Sequence, residues 1–318
     1  MDAAFMGPTS SRLSRTPARL PARPSSRPTF FPLPKVTGMT PQVPHPADRP
    51  QSWADCDPDL RAYILESLDA TGLDTVGVYL HGSLAMQCFY RAKSDVDVLV
   101  VVPETLSEAE RGQVARTLAQ RSCDRPMLGD FELSVLTAAQ AATHRHPRPF
   151  EVHYSAAWTE AVLADRVDYG IEHADPDLAA HITVVRQRGA VVGGPSPVDL
   201  FADVPHDDYL AAILADLEEV MSGQQLLSAP YYGVLNACRV LATLELGPGT
   251  VLSKQEGAVW ARESLPAAHL PLVEQALECY RSARPVTAEE RDTDGHDWDA
   301  GALLTFRDAV RAELVSRG

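Results

Sequence analysis

The sequence of this 318-residue chain predicts a mixed α+β fold, in which an α/β domain is followed by an all-helical domain. Short runs rich in valine and leucine, typical of buried strands, alternate with helical patterns between residues 76 and 188. No strand pattern follows Val204-Pro205, and five helical patterns occupy the remaining residues. We therefore expect an α/β domain over residues 51–204 and a helical domain over residues 205–318.

Residues 1–50 differ in composition from the rest of the chain. They hold 11 of the 25 prolines, with seven basic and two acidic side chains, so their net charge is +5. Because proline cannot donate to a helix or a strand ladder, we expect a disordered Pro/Arg-rich extension. A transit peptide and a translation start nearer Met39 are two explanations that this composition leaves open.

The α/β domain is predicted to begin with a helix, because Leu60, Ile64 and Leu68 recur at helical spacing. Asp57 before this helix and Gly72 after it are typical end signals. The next predicted elements are a strand at 76–80, a short helix at 84–89, a strand at 95–102, a helix at 104–121, strands at 131–136 and 150–154, and a helix at 177–188.

The helical domain is predicted from apolar residues that recur every three or four positions. Val234, Cys238 and Leu241, for example, share one face of a helix. The predicted helices cover residues 209–221, 231–244, 254–263, 267–282 and 301–315.

The charge of the chain limits its partners. Its net charge is −15, which leaves −20 on residues 51–318. Such a body repels phosphate backbones, so we expect no nucleic-acid partner and instead a small cationic one. The five cysteines lie far apart without metal-site spacing, and the longest aliphatic run, residues 98–102, is too short for a bilayer. We expect a cytoplasmic monomer that does not bind membranes.

Candidate chemistry is concentrated in Gly82-Ser83 and, after eleven intervening residues, in Asp95-Val96-Asp97. Successive side chains of a strand alternate in direction, so Asp95 and Asp97 point the same way. At a separation of about 4 Å, two carboxylates repel by roughly 4 kcal/mol with an effective dielectric of about 20. A divalent cation with oxygen ligands would compensate, and Glu132 would join the pair if the two strands are neighbours.

Three carboxylates on one sheet face suit a nucleotidyl transfer assisted by two metal ions. Gly82 would let the backbone approach a phosphate, which the first N–H groups of the next helix would face. A lone D-x-D is common in proteins without metal, and a Gly-Ser turn is commoner still. The ordered combination of strand, Gly-Ser, helix and strand with D-x-D is much more specific.

This combination, with the later Glu132, resembles the motif of the nucleotidyltransferase superfamily. Further segments resemble the helical C-terminal domain of the streptomycin/spectinomycin adenylyltransferases, the aminoglycoside (3'')(9) family. These segments are Leu235-Asn-Ala-Cys-Arg239, Ser253-Lys254 through Trp260, and Leu265-Pro-Ala-Ala-His269. The resemblance covers residues 55 to 282 and implies a nucleotidyltransferase fold with a mixed sheet. It also implies transfer of AMP from ATP to an antibiotic hydroxyl, with release of pyrophosphate.

The resemblance implies a role for each matching residue. Asp95 and Asp97 would ligate Mg²⁺, two ions being expected, and Glu132 would be the general base. The nucleotide would be bound by Gly82, Ser83, Ser94, Arg239, Lys254 and Tyr280.

Two departures from the family pattern concern the acceptor. The resembled streptomycin-modifying enzymes have carboxylates shortly before the arginine, whereas residues 222–238 contain no Asp or Glu. Trp158 is offset from the tryptophan of those enzymes, and whether it or Tyr154 contacts the acceptor stays open. Spectinomycin or another hydroxylated amine is therefore favoured over streptomycin.

Other acceptors and other functions stay open at this level. The alternatives are a nucleotidyltransferase with a different small-molecule or protein acceptor, and a non-catalytic ATP-binding module. Three further features are predicted to be structural: a turn at Gly193-Gly194-Pro195, a solvated acidic loop over residues 289–299, and His81 packed at a strand end.

Overall fold

The computed structural model describes residues 49–222, 224–284 and 286–317. The extension predicted over residues 1–50 lies outside the described residues, apart from its last two positions. All described residues belong to one unit, Pro44–Gly318, so the division between residues 204 and 205 stays a prediction. Within these ranges, no helix is both long enough and apolar enough to cross a membrane.

Strands and helices alternate in the first part of the described chain, as predicted. The strands are β1 (Gly77–His81), β2 (Val96–Val102), β3 (Phe131–Thr137), β4 (Arg148–Phe150), β5 (Val152–Tyr154), β6 (His173–Asp175) and β7 (Ala190–Gly193). The helices are α1 (Pro58–Ala70), α2 (Gly82–Ala85), α3 (Glu108–Arg121), α4 (Ala138–Ala142), α5 (Thr159–Leu163), α6 (Leu178–Arg188) and α7 (Pro197–Leu200).

Five of the strands form one mixed sheet, which confirms the predicted fold class. The strand order is β5-β3-β2-β1-β7, in which β2 and β3 are parallel and the other neighbours antiparallel. Strands β4 and β6 form a separate two-stranded ladder. In this register Asp97 lies directly between Glu132 of β3 and His81 of β1. The neighbouring strands that the metal-site argument requires are therefore present.

Both faces of β2 are buried, which explains its nearly unbroken run of valine and leucine. On one face Val96, Val98 and Val100 belong to a core that α1 and α3 complete. On the other face Leu99 and Val101 pack against α6. The Asp97 side chain points to this second face, at the end where β2 begins.

Helices make up the rest of the described chain. They are α8 (His206–Ser222), α9 (Gln225–Ser228), α10 (Pro230–Leu246), α11 (Lys254–Ser264), α12 (Leu270–Arg281) and α13 (Ala300–Arg317). Helix α10 is buried along most of its length and contacts α11 and α12. A Cβ atom on Gly257 of α11 would lie 2.6 Å from the Cα atom of Arg239, so these two helices meet at their backbones.

Two short strands depart most from the prediction, since edge strand β7 and strand β6 of the separate ladder have no predicted counterpart. Strand β7 has only four residues, alternately half-buried and exposed, so its apolar pattern is too weak to indicate a strand. The turn predicted after it is present at Gly194, whose φ is +99°. The strand predicted at 150–154 is divided into β4 and β5 at Glu151, which accepts hydrogen bonds from Arg111.

Several predicted helices also differ from the observed ones in their bounds, and the helix predicted at 104–121 is α3, which begins at Glu108. The short helix predicted at 84–89 is α2, which begins two residues earlier and ends at Ala85. The helix predicted at 267–282 begins as a 3-10 turn, Ala267–His269, before α12. Pro271 lies in the first turn of α12, where its missing N–H group costs no helical hydrogen bond.

The acidic run over residues 289–299 is a loop, as predicted, but it is not solvated throughout. The Asp294 side chain is 1% exposed, and its carboxylate lies 3.1 Å from Nζ of Lys93, whose side chain is 0% exposed. The Lys93 ammonium also donates to the backbone carbonyl of Arg291. The partners are 201 residues apart in sequence, so a local charge pattern could not reveal their pairing.

We expect Lys93→Met to lower the free energy of unfolding by about 3–5 kcal/mol, because it leaves a buried carboxylate without its main partner. Besides Lys93, the Asp294 carboxylate lies near His296, whose Nε2 atom is 3.8 Å from Oδ2. Urea denaturation measures the change. Arg262→Met is the matched control, because the pair of Arg262 with Glu274 is 44% and 49% exposed and should contribute about 1 kcal/mol or less. Equal losses in the two variants would contradict the prediction.

Candidate active site

A cavity of about 560 Å³ lies beside the end of the sheet where β2 and β3 begin. Helices α6, α8, α10, α11 and α12 all contribute residues to its wall. The nine residues predicted from the sequence all line it: Gly82, Ser83, Ser94, Asp95, Asp97, Glu132, Arg239, Lys254 and Tyr280. The fold therefore brings together side chains from two segments more than 100 residues apart.

Asp97 and Glu132 are side by side because β2 and β3 are parallel and in register. Burial, together with the charges of Glu132 and Asp95, raises the pKa of Asp97 well above its usual range. Burial, followed by the charges of Asp95 and Asp130, raises the pKa of Glu132 to about 7. The site therefore carries an excess of negative charge, which a bound cation would neutralise.

Asp95 lies just before β2 and is held by two donors. Its Oδ1 atom accepts a hydrogen bond of 2.7 Å from the backbone N–H of Asp130. The same oxygen lies 2.8 Å from Nη2 of Arg291, which belongs to the segment after α12. The Asp95 carboxylate is therefore oriented by a fixed amide and a guanidinium.

Glycine is required at position 82 because the backbone there passes close to the Asp97 side chain. Its φ is +60°, and a Cβ atom added there would lie 1.9 Å from Oδ2 of Asp97. Any other residue would both strain the backbone and displace the carboxylate. Next to it, Oγ of Ser83 is buried without a hydrogen-bond partner, so this hydroxyl is available to a phosphate oxygen or to another ligand.

We expect Gly82→Ala to reduce catalysis by about a hundredfold or more, because the added methyl group collides with the Asp97 carboxylate. Steady-state kinetics and thermal unfolding measure the effect. Gly72→Ala is a matched control: its φ is +67°, but no atom lies within 4 Å of the added Cβ. It should cost about 1–2 kcal/mol of stability and leave turnover unchanged. Similar kinetic losses in the two variants would contradict the role of the contact.

Lys254 is the first residue of α11, behind a capping box formed by Ser253 and Glu256. Its ammonium lies 4.2 Å from the ring centroid of Tyr232 and has no hydrogen-bond or ion-pair partner among the described residues. Burial and the nearby Arg239 lower the pKa of Lys254. A cation without an acceptor in a cavity suits an anionic ligand.

Arg239 of α10 is oriented by neighbours on its own and an adjacent helix. Its Nη2 atom donates to Oδ1 of Asn236 and lies 3.6 Å from Oδ2 of Asp216. Its Nε atom is buried without a partner. The guanidinium retains donors that a ligand in the cavity could use.

Ser94 and Tyr280 line the cavity, but their hydroxyls also have partners within the protein. The Tyr280 hydroxyl donates to the carbonyl of Cys88 at 2.7 Å. Oγ of Ser94 accepts from the backbone N–H of Tyr90 at 3.0 Å and lies 3.4 Å from the Tyr280 hydroxyl. Both side chains thus support the loop between α2 and β2, and their contact with a nucleotide stays a prediction.

Neither aromatic side chain considered for the acceptor lines the cavity. Tyr154 is fully buried in the core on the opposite face of the sheet, where its hydroxyl is 2.8 Å from Oγ1 of Thr159. Trp158 packs against that same core. The cavity wall instead includes His153 and His181. His81 is buried at the end of β1 as predicted, with its ring centroid 4.7 Å from that of His181.

Several cavity residues were not found from the sequence. They are acidic or cationic side chains on separate elements: Lys93, Asp175, Asp177, Asp216, Arg291 and Asp292. Lys93 offered one signal, because it is one of only three lysines in the chain and lies two positions before Asp95. The acidic residues offered none. Asp175, Asp177 and Asp292 lie in polar stretches that resemble solvated surface, and Asp216 lies on a helix that carries further acidic side chains.

The donor set around Asp95 and Asp97 fits Mg²⁺ bound together with a nucleotide. Among the described residues, no cluster of three or more His, Cys, Asp or Glu side chains could hold a metal ion by itself. Mg²⁺ usually takes one or two carboxylates and completes its coordination with phosphate oxygens and water. Asp95 and Asp97, which line the same cavity as the unpaired Ser83 hydroxyl, match that division.

Comparison with known proteins shows which enzymes the chain resembles. Residues 199–297 match the family model "Aminoglycoside adenylyltransferase, C-terminal domain". A spectinomycin 9-adenylyltransferase of Staphylococcus aureus is 28% identical over 216 residues, which cover 67% of this chain and 80% of that protein. An aminoglycoside (3'')(9) adenylyltransferase of Klebsiella pneumoniae is 26% identical over 220 residues, 68% of this chain and 82% of the relative. Over about two thirds of its length, the chain is therefore similar to adenylyltransferases of this kind.

A solved adenylyltransferase has the same fold. It is the spectinomycin adenyltransferase AAD(9) of Enterococcus faecialis, crystallised with ATP and spectinomycin. The two structures superpose with a TM-score of 0.62 at 18% identity, over 80% of this chain and 98% of the other. The nucleotidyltransferase fold expected from the sequence is thereby confirmed.

Proposed function

We propose that this adenylyltransferase transfers AMP from ATP to a hydroxyl of an aminoglycoside or aminocyclitol antibiotic of the spectinomycin and streptomycin class. Pyrophosphate is released, and the modified drug no longer acts, so the enzyme confers resistance. One observation carries the proposal: Asp95, Asp97 and Glu132 share a cavity with Arg239 and Lys254 from the helical part. In this arrangement the carboxylates would activate the acceptor hydroxyl, and the two cations would bind the phosphates of the nucleotide.

ATP is the co-substrate in this proposal, and the cations of the helical part bind its triphosphate. Lys254 and Arg239 carry donors that no protein acceptor uses. Gly82 and Ser83 form the opposite side of the phosphate site. Only glycine at position 82 lets the backbone pass close to Asp97, and the Ser83 hydroxyl is buried without a hydrogen-bond partner. The nucleotide would thus contact the sheet edge and helices α10 and α11 at once.

Mg²⁺, expected as two ions, would be held by Asp95 and Asp97. When bound, it would offset the charge on the phosphate oxygens and on the oxygens that enter and leave phosphorus. Support comes from burial and from the crowding of carboxylates, which together raise the pKa of Asp97.

Glu132 is proposed as the general base. A carboxylate whose pKa is raised to about 7 can take a proton near neutral pH more effectively than an ordinary glutamate. The proton of the drug hydroxyl would pass to Glu132 while its oxygen bonds to the α-phosphorus. The bond between that phosphorus and the bridging oxygen breaks, and its electron pair leaves with pyrophosphate.

The acceptor is proposed to be cationic because the remaining wall of the cavity is acidic. Asp175, Asp177 and Asp216 line it, and Arg239 is the nearest cation to this group. Burial, with the charges of Asp175 and Asp216, raises the pKa of Asp177 to about 7. An ammonium group would relieve this repulsion, and the lack of acidic residues over 222–238 favours spectinomycin over streptomycin.

Other partners are proposed from charge and composition. The net charge of −20 on residues 51–318 disfavours nucleic acid. All five cysteines are free, as is usual in a reducing compartment, which supports a cytoplasmic enzyme. We propose that it acts as a monomer, since one chain supplies all the residues of the cavity.

The direct test is pyrophosphate release by the purified chain with ATP and Mg²⁺, with spectinomycin and streptomycin supplied separately. We expect release that depends on a drug, with a higher kcat/KM for spectinomycin. ATP binding without release for either drug would contradict the acceptor and leave a different hydroxylated acceptor or a non-catalytic module. Omission of Mg²⁺ should abolish release, and unchanged release would contradict the metal assignment.

A further inference from the structure

The segment 286–299, which follows α12, reaches the active site through buried contacts. Lys93 holds it with its side chain, which pairs with Asp294 and donates to the carbonyl of Arg291. The segment is also held from α12, because Sγ of Cys279 contacts the carbonyl of Asp292 at 3.9 Å. The carbonyl of Asp294 accepts a hydrogen bond of 2.6 Å from Arg284. Contacts of this kind fix the segment where it meets the start of β2.

Arg291 is the side chain that this segment presents to the cavity. Its Nη2 atom donates to Oδ1 of Asp95 and to the carbonyl of Lys93. The side chain is 17% exposed and belongs to the cavity wall. A guanidinium has five N–H donors, and no hydrogen bond is made by its Nε atom, which is buried. Arg291 therefore retains capacity to bind an anion while it holds Asp95.

The position of Arg291 complements the other two cations of the cavity. Lys254 and Arg239 come from α11 and α10, whereas the sheet edge carries the carboxylates. Arg291 is a cation beside that edge, in contact with one of those carboxylates. A triphosphate between the two walls would meet positive charge from both directions. If Arg291 served only to neutralise Asp95, its side chain would not need to line the cavity.

We propose that Arg291 is a further phosphate-binding residue of this active site, supplied by the segment 286–299 and positioned by the buried contact of Lys93 with Asp294. This inference rests on the proposed function. In the transfer, the drug oxygen bonds to the α-phosphorus, and the electron pair of the broken bond leaves with pyrophosphate. Arg291 donates hydrogen bonds to the departing pyrophosphate and transfers no proton, as a guanidinium does in other phosphoryl transfers.

The test measures binding of pyrophosphate and of ATP, each with Mg²⁺, by titration calorimetry on the full chain. We expect Arg291→Gln to weaken pyrophosphate binding about tenfold or more, since a charge-assisted contact is lost. Arg291→Lys should recover only part of this affinity, because an ammonium cannot bridge two acceptors as a guanidinium can. Arg262→Gln, on the surface, is the control and should bind as the unmodified chain does.

Three results would overturn the assignment in distinguishable ways. If Arg291→Gln and Arg291→Lys bind pyrophosphate within twofold of the unmodified chain while Lys254→Gln does not, Arg291 does not bind phosphate and the proposed function stands. If Arg291→Gln changes Mn²⁺ binding without nucleotide but not pyrophosphate binding, it only positions Asp95. If the unmodified chain binds neither ATP nor pyrophosphate, the proposed function fails and this inference fails with it. Thermal unfolding of each variant verifies that it is folded.

Discussion

Asp97→Asn should reduce AMP transfer on the order of a thousandfold, equivalent to about 4 kcal/mol of transition-state stabilisation. Asp97 is the carboxylate that lies between Glu132 and His81 in the sheet and against Gly82. Asparagine keeps the shape of the side chain but removes the charge that a metal ion and its nucleotide require. Drug-dependent pyrophosphate release, measured at saturating ATP and Mg²⁺, gives the size of the loss.

The same substitution should stabilise the fold in the absence of metal. The pKa of Asp97 is raised by burial and by its acidic neighbours, so ionising it opposes folding as the pH increases. We therefore expect a higher Tm for Asp97→Asn at pH 8 without Mg²⁺, by about 2–4 °C for each kcal/mol gained. Asp308→Asn, on the exposed side of α13, is the control and should change neither quantity. Retained turnover in Asp97→Asn would contradict the metal assignment.

Glu132→Gln should lower kcat by about 10²–10⁴-fold and leave ATP binding nearly unchanged, because a general base acts only in the chemical step. Calorimetry with ATP and pyrophosphate-release kinetics separate the two effects. The pH dependence of stability gives a second readout. The pKa of Glu132 is about 7 in the folded chain, above its usual 4.5, so its ionisation costs stability as the pH rises through 7.

Glu132→Gln should therefore raise the Tm at pH 8, and the gain should shrink as the pH falls toward 5. Gln keeps the hydrogen-bonding capacity of the protonated acid, so packing is not the source of the difference. Glu104→Gln, at an exposed position, provides the comparison with no expected change. Full turnover in Glu132→Gln would place the base elsewhere, whereas loss of ATP binding would assign Glu132 to the nucleotide site.

The central part of the fold and the site could be predicted because their signals are local. Strand β2 has an apolar run buried on both faces, and the D-x-D at its start shows which side chains share a direction. The register that pairs Asp97 with Glu132 follows once the two strands are neighbours. The helices of the second half follow from their 3.6-residue apolar repeats, with bounds correct to within about three residues.

The remaining features depend on contacts between distant residues. Nothing local in the acidic run over residues 289–299 shows that Asp294 is buried against Lys93, or that Arg291 reaches Asp95. Edge strand β7 is only four residues long and is defined by its pairing with β1 more than by its own pattern. Asp216 joins the acidic wall only through the packing of α8 against α10, which brings it within 3.6 Å of Arg239.

The contact between positions 93 and 294 has a consequence for protein synthesis. The ribosome completes strand β2, beside Asp95, early in translation. The segment 286–299, whose Arg291 contacts Asp95, is made only when about nine-tenths of the chain has been translated. A nonsense mutation shortly before codon 291 would leave every strand intact and still remove that cation. We expect cells that carry such an allele to be killed by the drug, so selection on antibiotic plates would retain only nearly full-length reading frames.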